Sequence, residues 1–364
     1  MPGAAGEAEI AAAVAAAMRG IGMDVQATEV APGRPNVVGV LEGRAAGRSL
    51  LLCGHLDTVG VAGMPAPFDP VVRDGRLYGR GAQDMKGGLA AMLGAARALA
   101  RAGGLARGRL VVAAVVDEEY ASLGAEALVK GARADAAVVG EPTDLQIAIG
   151  HQGFSWVEVE AAGRAAHGSR PREGRDAILA MGRVLSRLEA LDRELQSRPA
   201  HPVLGTASLH ASIIHGGREL STYTDRCVLQ LERRTLCGEP PDAALAEVES
   251  ILAACRGENA EVGLAARALF ARPPYETPPE HALPRLLEAA LSRLGRPALR
   301  AGMTFWTDAA ILGHAGIPSV VFGPGGRGLH GLEEYVRIDE VLSCRDALVG
   351  LARSFCAASP EVKS

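Results

Sequence analysis

Three stretches of this chain are almost uniformly apolar and then stop abruptly at polar residues. Ser49-Leu50-Leu51-Leu52-Cys53-Gly54-His55-Leu56-Asp57 runs from leucines into Gly-His-x-Asp. Arg109 to Val116 runs into Asp117-Glu118-Glu119, and Ala136-Ala137-Val138-Val139-Gly140 runs into Glu141. Apolar runs this short and this sharply bounded predict strands buried on both faces. Between and before them lie alanine- and leucine-rich segments of helical character: Ala8 to Met18 closed by Gly20, Leu89 to Ala102, and Gly124 to Lys130. Ile21 to Val30 and Asn36 to Leu41 read as strands about a Pro32-Gly33-Arg34-Pro35 turn. Apolar strands alternating with helices predict a mostly parallel sheet with helices packed on it.

The pattern changes after residue 153. Phe154 to Ala162 alternates, with Trp156, Val157 and Val159 set against Glu158 and Glu160, as in a half-exposed strand. Arg175 to Leu195 is an amphipathic helix, Ala207 to Ile214 and Cys227 to Arg234 are alternating strands, Asp242 to Cys255 is a helix, and Ala260 to Phe270 is a last strand. Strand-helix-strand-strand-helix-strand is the ferredoxin-like order. The proline-rich segment Arg272 to Pro279 follows as a stiff connector, and strand-helix alternation resumes through Pro284–Leu294, Ser319–Phe322 and Asp339–Ala357. The expected organisation is an α/β domain of residues 1–152 and 274–364, interrupted by an α+β domain of residues 153–273.

Composition narrows the class without naming it. At 364 residues the chain is long enough for two cores, and 48% hydrophobic with 22% charged residues is ordinary for a globular protein. A formal net charge of -4 gives no electrostatic case for nucleic acid or an anionic membrane. The six cysteines lie far apart with no C-x-x-C pair, which argues against finger-type zinc and for reduced thiols. The Ala-rich opening lacks a basic leader and no apolar run is of membrane-spanning length, so a cytoplasmic protein is expected.

The chemistry gathers where the strands end. In open α/β sheets, ligand sites lie beyond the carboxyl ends of the strands. His55, Glu118, Glu119 and Glu141 all fall there, and Asp84 and His330 sit in glycine-flanked loops. Two imidazoles and several carboxylates form the mixed nitrogen and oxygen set that zinc accepts. His55 and Asp57, two residues apart on an extended chain, project to one side, so the aspartate is placed to orient the imidazole.

These stretches, read together, resemble the family of zinc hydrolases that includes aminoacylase, acetylornithine deacetylase, succinyl-diaminopimelate desuccinylase and carboxypeptidase G. The resemblance rests on GHLDTV, GRGAQDMKGG, VVDEEYASLGA, VVGEPT, GRAAHGSRP, ERRTLCGE, FWTDAAIL and GIPSVVFGPGGRGLHGLEEYV, in the family's order from about residue 36 to 340. It implies a zinc-exopeptidase-like catalytic domain with an inserted dimerisation, or lid, domain and two Zn2+ per subunit, Co2+ or Mn2+ being possible substitutes. His55 and Glu141 would bind one ion, His330 and Glu119 the other, and Asp84 would bridge them across a cis peptide to Met85. Asp57 would orient His55, and Glu118 would be the general base. His167 would reach a partner subunit's site in a homodimer and stabilise an oxyanion. Arg234 would bind a substrate carboxylate, Thr307 would touch substrate, and Gly325 within Gly323 to Gly328 would offer backbone N–H groups. Arg233, on the opposite face of its strand, is expected to be a surface charge.

The implied reaction is hydrolysis of the amide of an N-acyl amino acid, or of a dipeptide, bearing a free carboxylate. The rivals are an inactive binding homologue and an aminopeptidase-like zinc exopeptidase that reads the substrate's amine. Two departures bear on substrate choice: Ser221 and Thr224 stand where the family often has Asn and Pro. His201, His210, His281 and His314 match no ligand position, while His151 and His215 lie near the domain junctions.

Overall fold

The structure is a computed structural model that describes residues 6–61, 63–258 and 261–359. The chain divides into two compact units: Met1–Gly150, Glu276–Met303 and Thr307–Ser364 form the first, and His151–Tyr275 with Thr304–Trp306 form the second. Among the described residues, no helix is long and apolar enough to cross a membrane.

The first unit is built on a nine-stranded sheet. Ser49–His55 is buried at every position and pairs in parallel with Arg109–Val115 on one side and Ala136–Val139 on the other. Ser319–Val321 continues the parallel centre beside Ala136–Val139. The flanks are antiparallel: Arg34–Glu42 pairs with Arg109–Val115 and Asp24–Ala31, and Ser319–Val321 meets Ile147–His151 at Val321–Ala148. Parallel strands side by side are uniformly apolar because both faces are covered, so Leu50, Leu51 and Leu52 alike are fully buried. Each such side chain is worth about 1.5–3 kcal/mol of burial.

Register carries the chemistry. His55 is level with Val115, and Cys53 with Val139, so the residues after each strand emerge at the same edge of the sheet. The helices Gly87–Arg101 and Ile338–Cys356 pack on each other and on Ser49–His55. Two glycines permit close approaches here. A Cβ on Gly54 would lie 2.6 Å from the Met85 methyl, and one on Gly88 would lie 2.0 Å from the Gly140 carbonyl oxygen. A larger residue at Gly88 would meet backbone and push the start of the Gly87–Arg101 helix off the strand end.

Several features were not foreseen. The first helix runs Ala8–Ile21 and stops at Gly22 in the left-handed conformation, φ 93°, rather than at Gly20. Ile147–His151 is a strand, and a small sheet joins Val71–Arg73, Arg76–Tyr78, Gly326–Arg327 and Tyr335–Arg337. Strands of two or three residues are too short to show any periodicity.

In the second unit the sheet order is Ser208–Gly216, Arg226–Thr235, Gly153–Ala162, Gly263–Arg272, antiparallel throughout. With helices Ala177–Ser197 and Ala243–Glu258, this is the ferredoxin-like arrangement. Val157, Val159, Leu229 and Leu231 pack with Val184, Leu188, Val248 and Leu252. Asp176 caps the first of these helices, accepting from the N–H groups of Ile178 and Leu179 at 2.9 and 3.0 Å, a contribution of about 1 kcal/mol. Ala260, expected to open the last strand, lies outside the described residues.

One expectation is corrected here. Arg233 does lie on the opposite face from Arg234, but that face is the core, and its side chain is wholly buried rather than a surface charge. It is held by Glu239 at 2.7 and 2.8 Å and by Glu247 at 3.1 and 3.2 Å. A buried guanidinium persists only with such a set of carboxylates.

Candidate metal centre

The end of the Ser49–His55 strand places His55 where its two ring nitrogens have different neighbours. Nε2 lies 3.0 Å from Asp84 Oδ1 and 3.7 Å from Glu141 Oε1. Nδ1 lies 3.0 Å from the Asp57 backbone carbonyl and 3.5 Å from its carboxylate. Both the carbonyl and the carboxylate of Asp57 thus face Nδ1, the carbonyl more closely. The Asp57 carboxylate also has a second task, its two oxygens accepting from the backbone N–H groups of Glu118 and Glu119 at 3.2 and 3.1 Å. One aspartate thus locks the turn that presents both glutamates. Asp117, just before them, has φ 69° and pairs with Arg34, so it shapes the turn from outside the cluster.

Asp84 is the centre of the arrangement. Its Oδ1 faces His55, and its Oδ2 lies 3.3 Å from Nε2 of His330. The same His330 nitrogen is 3.3 Å from Glu119 Oε2. The Asp84–Met85 peptide is cis. Among the described residues, two triads bring ligand atoms within 4.8 Å of one another: His55, Asp84 and Glu119, and His55, Glu118 and Glu141. Fold and sequence thus bring together all six residues named above for metal binding and proton transfer.

The electrostatics of this cluster ask for a cation. Burial, reinforced by Glu141, holds the Glu118 carboxyl well above the usual carboxylate range, and burial does the same to Glu141. Burial opposes a charge on His55, yet Glu141, Asp57 and Asp84 together hold its pKa well above the ordinary value. Hydrogen bonds to Asp84 and Glu119 raise His330 to about 10. Asp84 is resisted by burial but depressed by both histidines. Protons are thus standing in for positive charge among crowded acids. One buried oxygen each of Glu119 and Glu141, Oε1 in both, has no hydrogen-bond partner. Uncompensated buried carboxylate oxygens are costly, and divalent cations held by imidazole and carboxylate would satisfy them. The two His/Asp/Glu clusters fit a dinuclear metal site.

Other residues proposed from the sequence are placed differently. Thr307 is fully buried, and its hydroxyl accepts from the N–H of Ala309 at 3.2 Å, at the start of helix Ala309–His314. Its neighbour Asp308, also buried, is the one whose charge is felt by Glu118 and Glu141. Gly325 is corrected: its N–H donates to Glu340 Oε2 at 2.7 Å, and the Gly323 N–H to the Thr143 hydroxyl at 3.2 Å, so neither is open to substrate. His167 and Arg234 belong to the second unit. His167 is exposed, its Nδ1 2.8 Å from the Ser169 hydroxyl, and it forms a bridge with Thr222. Gly168 donates to the carbonyl of Ser221 at 2.7 Å, so the segment that departs from the family pattern is the neighbour of this histidine. Arg234 binds Glu232 at 2.9 Å and lies over the Phe154 ring. Of the remaining histidines, His201 and His281 accept backbone N–H groups, as turn and helix caps.

Sequence reasoning missed Arg80 and Glu334, a buried ion pair between the loops that carry Asp84 and His330. The signal was present in GRGAQDMKGG and HGLEEYV, but charged residues in glycine-rich loops read as solvated.

Comparison with known proteins bears on this geometry. The model of the peptidase family M20/M25/M40 matches residues 51–354, and the chain belongs to that family. It is similar to an N-formyl-4-amino-5-aminomethyl-2-methylpyrimidine deformylase from Bacillus subtilis, at 28% identity over 96% of this chain and 89% of that protein. It is also 31% identical to an acetylornithine deacetylase from Myxococcus xanthus, over 88% of this chain and 84% of the relative. Among solved structures, a tripeptidase from Staphylococcus aureus shares the fold with a TM-score of 0.81, at 22% identity over 95% of this chain and 92% of the other.

Proposed function

We propose that this protein is a dinuclear-metal amidohydrolase that cleaves the amide of an N-acyl amino acid, or of a dipeptide bearing a free carboxylate. One observation carries the reading: the two oxygens of Asp84 face different histidines, with Glu141 on one side and Glu119 on the other. His55 with Glu141, and His330 with Glu119, would each hold one ion, and Asp84 would serve both. Zinc suits this donor set. Two ions bound there would supply Lewis acidity to the scissile carbonyl and lower the pKa of the attacking water.

The remaining steps fall to the chain. Glu118 neighbours the cluster, its backbone held by Asp57, and it takes the proton of the attacking water. It then passes that proton to the departing amine, for which a carboxyl with a raised pKa is suited. His167, exposed on its turn, is assigned the oxyanion contact in the site of a partner subunit, so the working form is a homodimer joined through the second unit. Arg234 is assigned the substrate carboxylate, which a guanidinium can grip with two parallel hydrogen bonds. The test is Glu118→Gln: turnover should fall while two ions per chain are retained. Unchanged turnover would sink the mechanism.

A second reading keeps the metal centre and drops the carboxylate. It is favoured by the Glu232 partner that already engages Arg234, and by Ser221 beside the His167 turn. The deformylase relative is named for a substrate of the N-formyl amine kind. Turnover of N-formyl, N-acetyl and N-succinyl substrates, each offered with and without an adjacent carboxylate, separates the two readings.

A further inference from the structure

Glu334 lies four residues beyond His330, and its side chain is completely buried. Its carboxylate accepts four bonds. Arg80 donates to Oε2 at 2.6 Å and the Gly81 N–H to the same oxygen at 3.1 Å. The N–H groups of Gln83 and Asp84 donate to Oε1 at 2.9 and 3.1 Å. Three of these donors belong to the turn that ends in Asp84, so one carboxylate holds that turn by its backbone. Arg80 closes the circuit: its second terminal nitrogen, Nη2, donates to the Gly331 carbonyl at 2.8 Å, next to His330 in sequence. The Glu334 carbonyl in turn accepts from the Gly79 N–H at 3.0 Å.

This circuit joins two loops that are flanked by the short strands of the small sheet, Arg76–Tyr78, Gly326–Arg327 and Tyr335–Arg337. His55 stands at the end of a strand paired on both sides. His330 stands in a turn with φ 58°, its side chain more than half exposed. A side chain so placed cannot be held by packing, and its position relative to Asp84 depends on what fixes its backbone. Arg80 reaches the carbonyl beside it and no other described cation does so. Charge-assisted bonds in a dry setting are strong and directional, and groups that orient ligands govern affinity as the ligands themselves do.

We propose that Arg80 and Glu334 are positioning residues that form a latch between the Asp84 and His330 loops, and that this latch governs binding of the second ion, at His330 and Glu119, more than that of the first, at His55 and Glu141. The proposal rests on the dinuclear reading above. Arg80→Lys keeps a positive charge but gives up the planar fork that meets Glu334 and Gly331 through separate nitrogens. Glu334→Gln keeps one acceptor, yet its amide NH2 must face donors, either those of Arg80 and Gly81 or those of Gln83 and Asp84.

The test is a stepwise Co2+ titration of metal-free protein, read by calorimetry and by the visible absorption of bound Co2+, with far-UV circular dichroism as the check on folding. His330→Ala serves as the one-ion reference. In both latch variants the second step should weaken about 10–100-fold, with the first step within twofold of wild type and a final spectrum approaching that of His330→Ala. Second-step affinity within twofold of wild type in folded Arg80→Lys protein overturns the latch, as does an equal loss of both steps. If Glu334→Gln fails to fold, Arg80→Lys alone decides. Wild-type protein that takes up fewer than two ions would instead overturn the dinuclear reading itself.

Discussion

His55 and His330 contact opposite oxygens of Asp84, and their supports could hardly differ more. The His55 side chain is fully buried at the end of a strand hydrogen-bonded on both edges, whereas that of His330 is 56% exposed in a glycine-rich turn. The first is placed by sheet register and by a core whose leucines have no freedom to move. The second is placed by a loop between the short paired strands Gly326–Arg327 and Tyr335–Arg337, tied to the Asp84 turn by one buried ion pair. Two histidines at one cluster therefore draw on different sources of stability: nonpolar burial for one, charge-assisted hydrogen bonds for the other. Substitutions should separate them.

The largest effect lies between the two, at Glu118. Glu118→Gln should lower kcat about 10²–10⁴-fold while metal content, read by elemental analysis, stays at two ions. Loss of an ion would place Glu118 among the ligands and not at the proton.

Removal of each histidine comes next. His55→Ala leaves the buried Glu141 and the half-buried Asp84 and Glu118 without their imidazole, so the metal-free protein should lose about 3–5 kcal/mol in chemical denaturation. His330→Ala removes a half-exposed group, and the same experiment should show under about 1 kcal/mol. Equal losses would refute the contrast between a core-held and a loop-held ligand.

The pH dependence of the metal-free protein follows with a defined sign. Glu118 and Glu141 have pKa values raised above 4.5, and His55 above 6.5, so the folded state holds protons that the unfolded state releases. Their contribution to stability is present below these ordinary values and is lost as pH rises through the raised ones. Asp57 and Asp84 act in the other window: both are depressed below 3.8, and their contribution is lost only as pH falls through the depressed values. Metal uptake must displace the retained protons, so affinity should rise with pH, by about tenfold per unit for each proton released. Calorimetry in buffers of different ionisation enthalpy counts those protons, and a count of zero would contradict the assignment.

The smallest effects fall in the second unit, where two adjacent arginines repeat the contrast. Arg234 is partly exposed and paired with Glu232, so Arg234→Met should shift stability by no more than about 1 kcal/mol and show itself in KM for carboxylate-bearing substrates. Arg233→Met should cost more in thermal denaturation, because Glu239 and Glu247 lose a shared buried partner. A larger KM effect at Arg233 would reverse the roles.

Much of this protein could be read without coordinates. Uniformly apolar runs declared the central strands, alternation declared the sheet of the second unit, and the order of its elements declared their topology. His55, Glu118, Glu119 and Glu141 were legible because a buried strand must end somewhere, and polar residues at that end stand at the edge of the sheet. What the sequence could not carry was which atoms meet. Asp57 was expected to face His55 with its carboxylate, and does so at 3.5 Å, but its carbonyl comes nearer, at 3.0 Å, and the carboxylate also accepts from Glu118 and Glu119. Gly325 looked like an open donor until Glu340 took its N–H, and Arg233 looked like a surface charge until two glutamates enclosed it. The Arg80–Glu334 pair spans 254 positions of chain. Periodicity is a local property, set by side chains that share a face within one element. Hydrogen-bond partners are a global one, decided only when the folded chain excludes water and each buried polar group must find what is near it.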